Sequence, residues 1–175
     1  MQFAKDSFYL ALRERMMALN PQRRIVVDGV SRVAIFASEN EPSSGRVQQD
    51  DSFYLRWGGC RRMPKHSGGG RQLHALECVI AYGTRGSCES GVDRGRLLGA
   101  LDRELISICH PPETRKRDFT QAPSVDLGSN VFWTDPELGE LEPSGESELR
   151  SASGGGRVRR SARLTVFFFP EVEFS

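Results

Sequence analysis

The spacing of apolar residues changes along this chain in a fixed order: a helical period, a tight hairpin, two alternating runs, a second helical period and closing strands. That order limits the available folds more than any motif does. Phe8, Leu12, Met16 and Leu19 recur at helical spacing, with Arg13, Glu14 and Arg15 turned largely elsewhere. Asp6 or Ser7 is the expected N-cap, and Asn20 with Pro21 the stop, Asn taking the left-handed cap conformation. Ile25, Val26 and Val27 run into Asp28-Gly29, and residues 30–36 run out, which predicts a hairpin over residues 24–38. Asp-Gly suits a type I′ turn because both central residues need positive φ.

Phe53, Leu55 and Trp57 alternate with Tyr54 and Arg56, and Leu76, Cys78, Ile80 and Tyr82 share a face, so residues 53–63 and 73–82 read as strands. Residues 91–109 predict the second helix, with Leu98, Leu101, Leu105 and Ile108 as its buried stripe. Gly91, Gly95 and Gly99 run beside that stripe; each glycine inside a helix costs about 1 kcal/mol, so the expectation is close approach to the sheet or another helix. Residues 130–134 read as a short strand. Residues 158–169 read as the last one, with Ala162, Leu164, Val166 and Phe168 on one face and Phe167 and Phe169 covering the other at its end.

The fold class is therefore α+β: a mainly antiparallel sheet with two helices packed on it and long polar loops. A chain of 175 residues with 38% hydrophobic content can bury one good core, so residues 1–175 are read as a single domain. Mobile loops are expected near residues 39–51, 64–72, 110–129 and 135–157, where Gly, Pro, Ser and charged residues gather. The pentapeptide Asp-Ser-Phe-Tyr-Leu occurs at residues 6–10 and 51–55, once in a helical period and once in an alternating one. The flanking sequences do not match, so this is coincidence and context decides the conformation.

Little in the chain points to catalysis. There is no Gly-x-Ser-x-Gly elbow and no P-loop, and His66, His74 and His110 sit in or beside expected loops. Cys60, His66, His74 and Cys78 suggest zinc, but residues four apart on one strand are roughly 13 Å apart, too far for His74 and Cys78 to share an ion. Cys60, Cys78, Cys88 and Cys109 form no C-x-x-C pair, and buried thiols in a reduced compartment are expected. The first residues lack the pattern of an export signal, and no stretch reaches the ~18 apolar residues that cross a bilayer. Neither enzyme, cofactor nor metal is expected. A nucleic-acid-binding accessory module is the alternative, using the basic region from Arg56 to Arg71. Against it, Phe53, Leu55 and Trp57 are expected to face the core, and net charge is only +1.

Charge is segregated along the chain. Arg56, Arg61, Arg62, Lys65 and Arg71 fall in a stretch without an acid, whereas Asp135, Glu137, Glu140, Glu142, Glu146 and Glu148 follow one another without a base. Such blocks serve as solvated loops or as complementary patches between subunits. Arg61, Arg62 and Lys65 facing Glu137, Glu140 and Glu142 are the expected interface.

Taken together, the helix at residues 6–20, the hairpin at 25–36, the strands at 53–63 and 73–82, the helix at 91–109 and the strands at 130–134 and 158–169 give an element order that resembles the tail terminator, or tail-completion, proteins of long-tailed bacteriophages. The resemblance lies in topology and carries no motif. It implies a structural protein forming a homo-oligomeric ring, commonly hexameric, that caps a tail tube and meets a tail-tube or neck protein. It also implies a virion location after assembly in the bacterial cytoplasm.

Overall fold

Two helices lie against one curled, mostly antiparallel sheet, giving an α+β fold. The computed structural model describes residues 1–40, 49–64, 71–86, 92–142 and 157–171. The expected loop at 64–72 lies largely outside the described residues, as do Lys65, His66, Cys88 and Gly91.

Helix α1 (Gln2–Leu19) buries Phe8, Leu12 and Met16 as the helical spacing requires, whereas Leu19, the last member of that spacing, is exposed. Its start differs from expectation: Met1 is the N-cap and no side chain caps it. Ser7 lies inside the helix, where its hydroxyl donates to the Phe3 carbonyl and accepts the Arg117 backbone N–H. Asn20 does end the helix, but with φ −142° rather than in the left-handed region. Its side chain is engaged instead, donating to Glu104 and accepting the Gln22 N–H.

Strands β1 (Arg24–Val27) and β2 (Val30–Val33) form the expected hairpin, with Asp28 at φ 51° and Gly29 at φ 77°. The second arm does not run on to residue 36 in one piece. The chain breaks at Ala34, whose N–H bonds to Arg23, and β3 (Ile35–Ala37) joins the main sheet parallel to the start of β4 (Phe53–Arg62). A short 3-10 turn, Ser38–Asn40, follows β3. The two pentapeptide copies adopt helix in α1 and strand in β4.

β4 pairs with β5 (His74–Thr84), and β5 pairs along its whole length with β9 (Val158–Phe168). Leu76, Cys78, Ile80 and Tyr82 of β5 and Ala162, Leu164, Val166 and Phe168 of β9 fill one face. On that face they meet Phe8, Leu12 and Met16 of α1 and Leu98, Leu101, Leu105 and Ile108 of α2 (Val92–Ile108). Phe8 holds the centre, edge-on to Trp57 at 5.7 Å and to Trp133 at 4.9 Å. Phe167 and Phe169 are half-buried. At the rim of α2, Asp102 accepts the Tyr82 hydroxyl at 2.7 Å and the Arg160 guanidinium at 2.5 Å, joining the helix to both central strands.

The glycine stripe of α2 does not touch a neighbour among the described residues. A Cβ at Gly95 meets nothing within 4 Å, and one at Gly99 meets only the tip of Arg103 at 3.9 Å. At Gly95 and Gly99 the close approach inferred from sequence is absent, because the leucine stripe on another face of α2 carries the packing.

Two expected loops are strands. Residues 110–129 contain β6 (Glu113–Asp118) and most of β7 (Val125–Trp133), which pair with each other. The basic run Arg115-Lys116-Arg117 lies in β6, where no apolar alternation advertises a strand because its outer side is solvated. Lys116 is the exception: it is buried, and its ammonium donates to the Phe169 carbonyl at 2.6 Å and pairs with Glu171 at 3.0 Å. Such burial of a lysine requires its charge to be met. The acidic segment expected as loop contains β8 (Glu137–Glu142). β7 and β8 run successively along the same edge of β9, interrupted at residues 134–136. Arg15 secures the turn into β6 by donating to the carbonyls of Ile108, Pro111 and Glu113 while lying over Trp133.

Candidate assembly surfaces

The strand order β3-β4-β5-β9-β7-β6, with β8 also on β9, leaves bare edges at two opposite margins. On one margin β3 covers β4 only at Phe53, Tyr54 and Leu55. From Arg56 to Arg62 the outer edge of β4 has no strand beside it among the described residues, and Arg56, Arg61 and Arg62 are exposed there. A bulge at Gly58-Gly59 interrupts its register with β5, a common feature of edge strands.

On the other margin β6 covers β7 but not β8, and every residue of β8 is exposed. β8 is nonetheless pressed onto β9: a Cβ at Gly139 would stand 2.9 Å from the Ser161 carbonyl. Glu137 opposes Arg163 and Glu142 opposes Arg159 in the ladder, so the acids that read as loop residues in sequence sit in register with the arginines of β9. Opposite charges across a strand pair stabilise the pairing by roughly 0.2–1 kcal/mol each.

The structure therefore separates the two halves of the expected interface. Arg56, Val79, Arg163 and Glu137 lie in one row across the sheet, which puts the basic and acidic margins three strand spacings, roughly 14 Å, apart. Arg61 and Arg62 cannot meet Glu137, Glu140 and Glu142 within one copy. Lys65 lies outside the described residues.

The basic margin holds a second arginine cluster that the sequence does not advertise. A groove of about 480 Å³ runs between α1 and β2, lined by Arg13, Arg24 and Arg32 with Tyr9, Met17 and Val30 among the others, and no carboxylate is among the described residues that line it. The Arg13 guanidinium lies 5.4 Å from the Tyr9 ring centre, and Arg24 is held by Ser31 and Met17. These arginines come from a helix and two strands, so no run of basic residues marks them.

Phe53 and Leu55 are buried and Trp57 packs on the core, the inward placement expected from alternation, which leaves half-buried Tyr54 as the aromatic residue on the other face of β4. Cys60 and His74 approach to 3.8 Å at the end of the sheet, whereas Cys78 lies deeper, opposite Trp57. Burial pushes the Cys109 thiol up to about 12 and the Cys78 thiol higher still, so both behave as core residues rather than nucleophiles. Among the described residues no three His, Cys, Asp or Glu side chains are placed to hold a metal, and no helix is long and apolar enough to cross a membrane. No protein-family model matches the chain, and no curated protein matches it significantly in sequence.

Proposed function

We propose that this chain is a non-enzymatic structural protein that assembles head to tail with copies of itself, in the form of a closed ring at the end of a phage tail or similar tube. The observation that carries the reading is the pair of edges, unpaired among the described residues, at opposite margins of the seven-stranded sheet, acidic at β8 and arginine-bearing at β4. A ring needs two different patches on each subunit, each complementary to the other. Like-charged edges would repel; opposite charges on opposite margins favour joining one copy's right side to the next copy's left. The resemblance of the element order read from sequence to tail terminator proteins suggests the ring and the tube as the specific setting.

Analytical ultracentrifugation across concentration and salt tests the reading. A concentration-dependent oligomer that weakens as salt rises is expected, since exposed charge pairs are screened within about 10 Å at 0.1 M salt. Negative-stain images are expected to show rings. A chain that stays monomeric at every concentration and salt, with and without a candidate tube protein, refutes it.

A further inference from the structure

We infer that β4 of one copy and β8 of the next pair as neighbouring strands in a single antiparallel register, Arg56 opposite Glu142 and Arg61 opposite Glu137; the inference rests on the head-to-tail reading and names its contact. Backbone phase fixes which groups point outward. Phe53 donates to Ala34 on the β3 side, and Met63 donates to Leu73 on the β5 side, so alternation from either end leaves the N–H and C=O of Trp57 and Cys60 aimed away from β5. On β9, Thr165 accepts the Thr134 N–H on the side of β7 and β8. Arg163 and Arg159 therefore face β8 and bond their partners Glu137 and Glu142, which leaves Leu138 and Leu141 aimed outward. Each edge strand carries one extra residue between its outward pair, at Gly58-Gly59 and at Gly139-Glu140. Trp57 can then exchange both main-chain bonds with Leu141, and Cys60 with Leu138, bulge facing bulge. Among the described residues no strand covers either run and no side chain takes these outward main-chain groups. The turn after β3, Ser38–Asn40, bends toward α1, where Glu39 pairs with Lys5.

Side chains agree with that phase. Arg56 and Arg61 oppose Val79 and Ala75 on the face of the sheet away from the helices, and Glu137 and Glu142 oppose Arg163 and Arg159 on the same face. Residues five apart point to opposite faces of a regular strand; the extra residue in each strand returns Arg61 to the face of Arg56, and Glu142 to that of Glu137. Each glutamate then stands between an arginine of its own β9 and one of the next copy. On the helix face half-buried Trp57 meets Leu141, which is 56% exposed, and Cys60 meets Leu138. Opposite charges and apolar contacts across a strand pair both favour it. Arg61 lies in the row of Ala75, and Glu137 in that of Val79, so each copy steps four residues along the strands for the four strands β4, β5, β9 and β8. One residue of stagger per strand is the ratio found in closed barrels whose strands tilt by about 36°. The same register therefore suits a ring with every copy's helices on one side.

The test uses the full chain, and exposed Cys60 supplies the probe; Cys78 and Cys109 are buried. Within one copy Cys60 and Leu138 are three strand spacings and four residues apart, roughly 19 Å, beyond the reach of a disulfide. Across the contact they stand directly opposite. Leu138→Cys is therefore expected to give, on mild oxidation, a disulfide-linked ladder on non-reducing gels that is lost in Cys60→Ser/Leu138→Cys, and Leu141→Cys, opposite Trp57, to link at least about fivefold less. Charge exchange tests the same register by sedimentation, each variant checked for fold by circular dichroism. Arg61→Glu is expected to weaken assembly at least about fivefold, and Arg61→Glu/Glu137→Arg to return it to within about threefold of wild type. Arg61→Glu/Glu142→Arg, of equal net charge, is expected to stay weak because both pairs then repel. If a charge variant fails to fold, the cross-link decides alone. Assembly with neither the Cys60 cross-link nor the selective rescue overturns this register and leaves the head-to-tail reading standing. A wild-type chain that stays monomeric at every concentration and salt, with or without an oligonucleotide bound at the β4 arginines, removes both.

Discussion

Replacing Glu171 by glutamine is expected to destabilise the fold by about 1–3 kcal/mol at neutral pH, and the loss is expected to shrink in acid. Glu171 pairs with the Lys116 ammonium at 3.0 Å and with the Met1 ammonium at 2.9 Å, and the Lys116 side chain is only 3% exposed. Burial pushes the carboxyl up, but the Met1 ammonium, the backbone and Lys116 outweigh it and hold the pKa at about 2, against an ordinary 4.5. One pKa step is worth about 1.4 kcal/mol, which sets a ceiling of roughly 3 kcal/mol. Glu171 is 30% exposed, so solvent screening brings the expected cost below that ceiling. The sign follows from the depressed value: the stabilisation is complete above the unfolded pKa near 4.5 and is lost as pH falls toward 2. Urea unfolding of wild type and Glu171→Gln at pH 7, 4 and 3 measures it. The gap is expected to narrow to roughly half or less by pH 3, and a thermal scan at pH 7 to show a fall of about 3–10 °C. A gap below about 0.5 kcal/mol at pH 7, or one that is unchanged at pH 3, refutes the account.

Asp102→Ala is expected to cost about 2–4 kcal/mol in chemical unfolding, because it strands the Tyr82 hydroxyl and the Arg160 guanidinium, whereas Tyr82→Phe costs only about 0.5–1.5 kcal/mol. Equal losses would show that Asp102 does not organise the pair. Phe8→Ala is expected to cost about 3–5 kcal/mol and to red-shift tryptophan emission, since it removes the ring that both Trp57 and Trp133 contact edge-on. Gly95→Ala and Gly99→Ala are each expected to raise stability by about 0.5–1 kcal/mol, because the added methyl meets open space or ordinary contact in a helix. Destabilisation by either would mean that the α2 surface is covered.

Elements with an apolar face were legible from sequence, and those stabilised mainly by backbone pairing were not. Leu98, Leu101, Leu105 and Ile108, and the β5 and β9 stripes, state their period because one side is dry and the other is not. Asp28-Gly29 states its turn because few other pairs accept two positive φ values. By contrast Glu113–Asp118 and Glu137–Glu142 are strands whose side chains are largely wet. Their ladders are made by N–H and C=O groups that every residue possesses, so composition reads as loop. The charged residues of the candidate surfaces were visible, but their placement on opposite margins depends on register across β4, β5, β9 and β8. The arginines of the groove were invisible as a group, because Arg13, Arg24 and Arg32 converge only once a helix and a hairpin pack together.

β9 stands at the middle of the sheet yet comes last among the described strands in chain order. As a chain of this design emerges, β5 and the β7/β8 line have no partner on the sides they will share until residues 158–168 arrive. Pairings this distant in sequence are slow to form, and bare edges in the meantime invite foreign strands. The centre of the sheet therefore closes only when residues 158–168 arrive, so the strands that flank this lane stay open to wrong partners until the lane is filled.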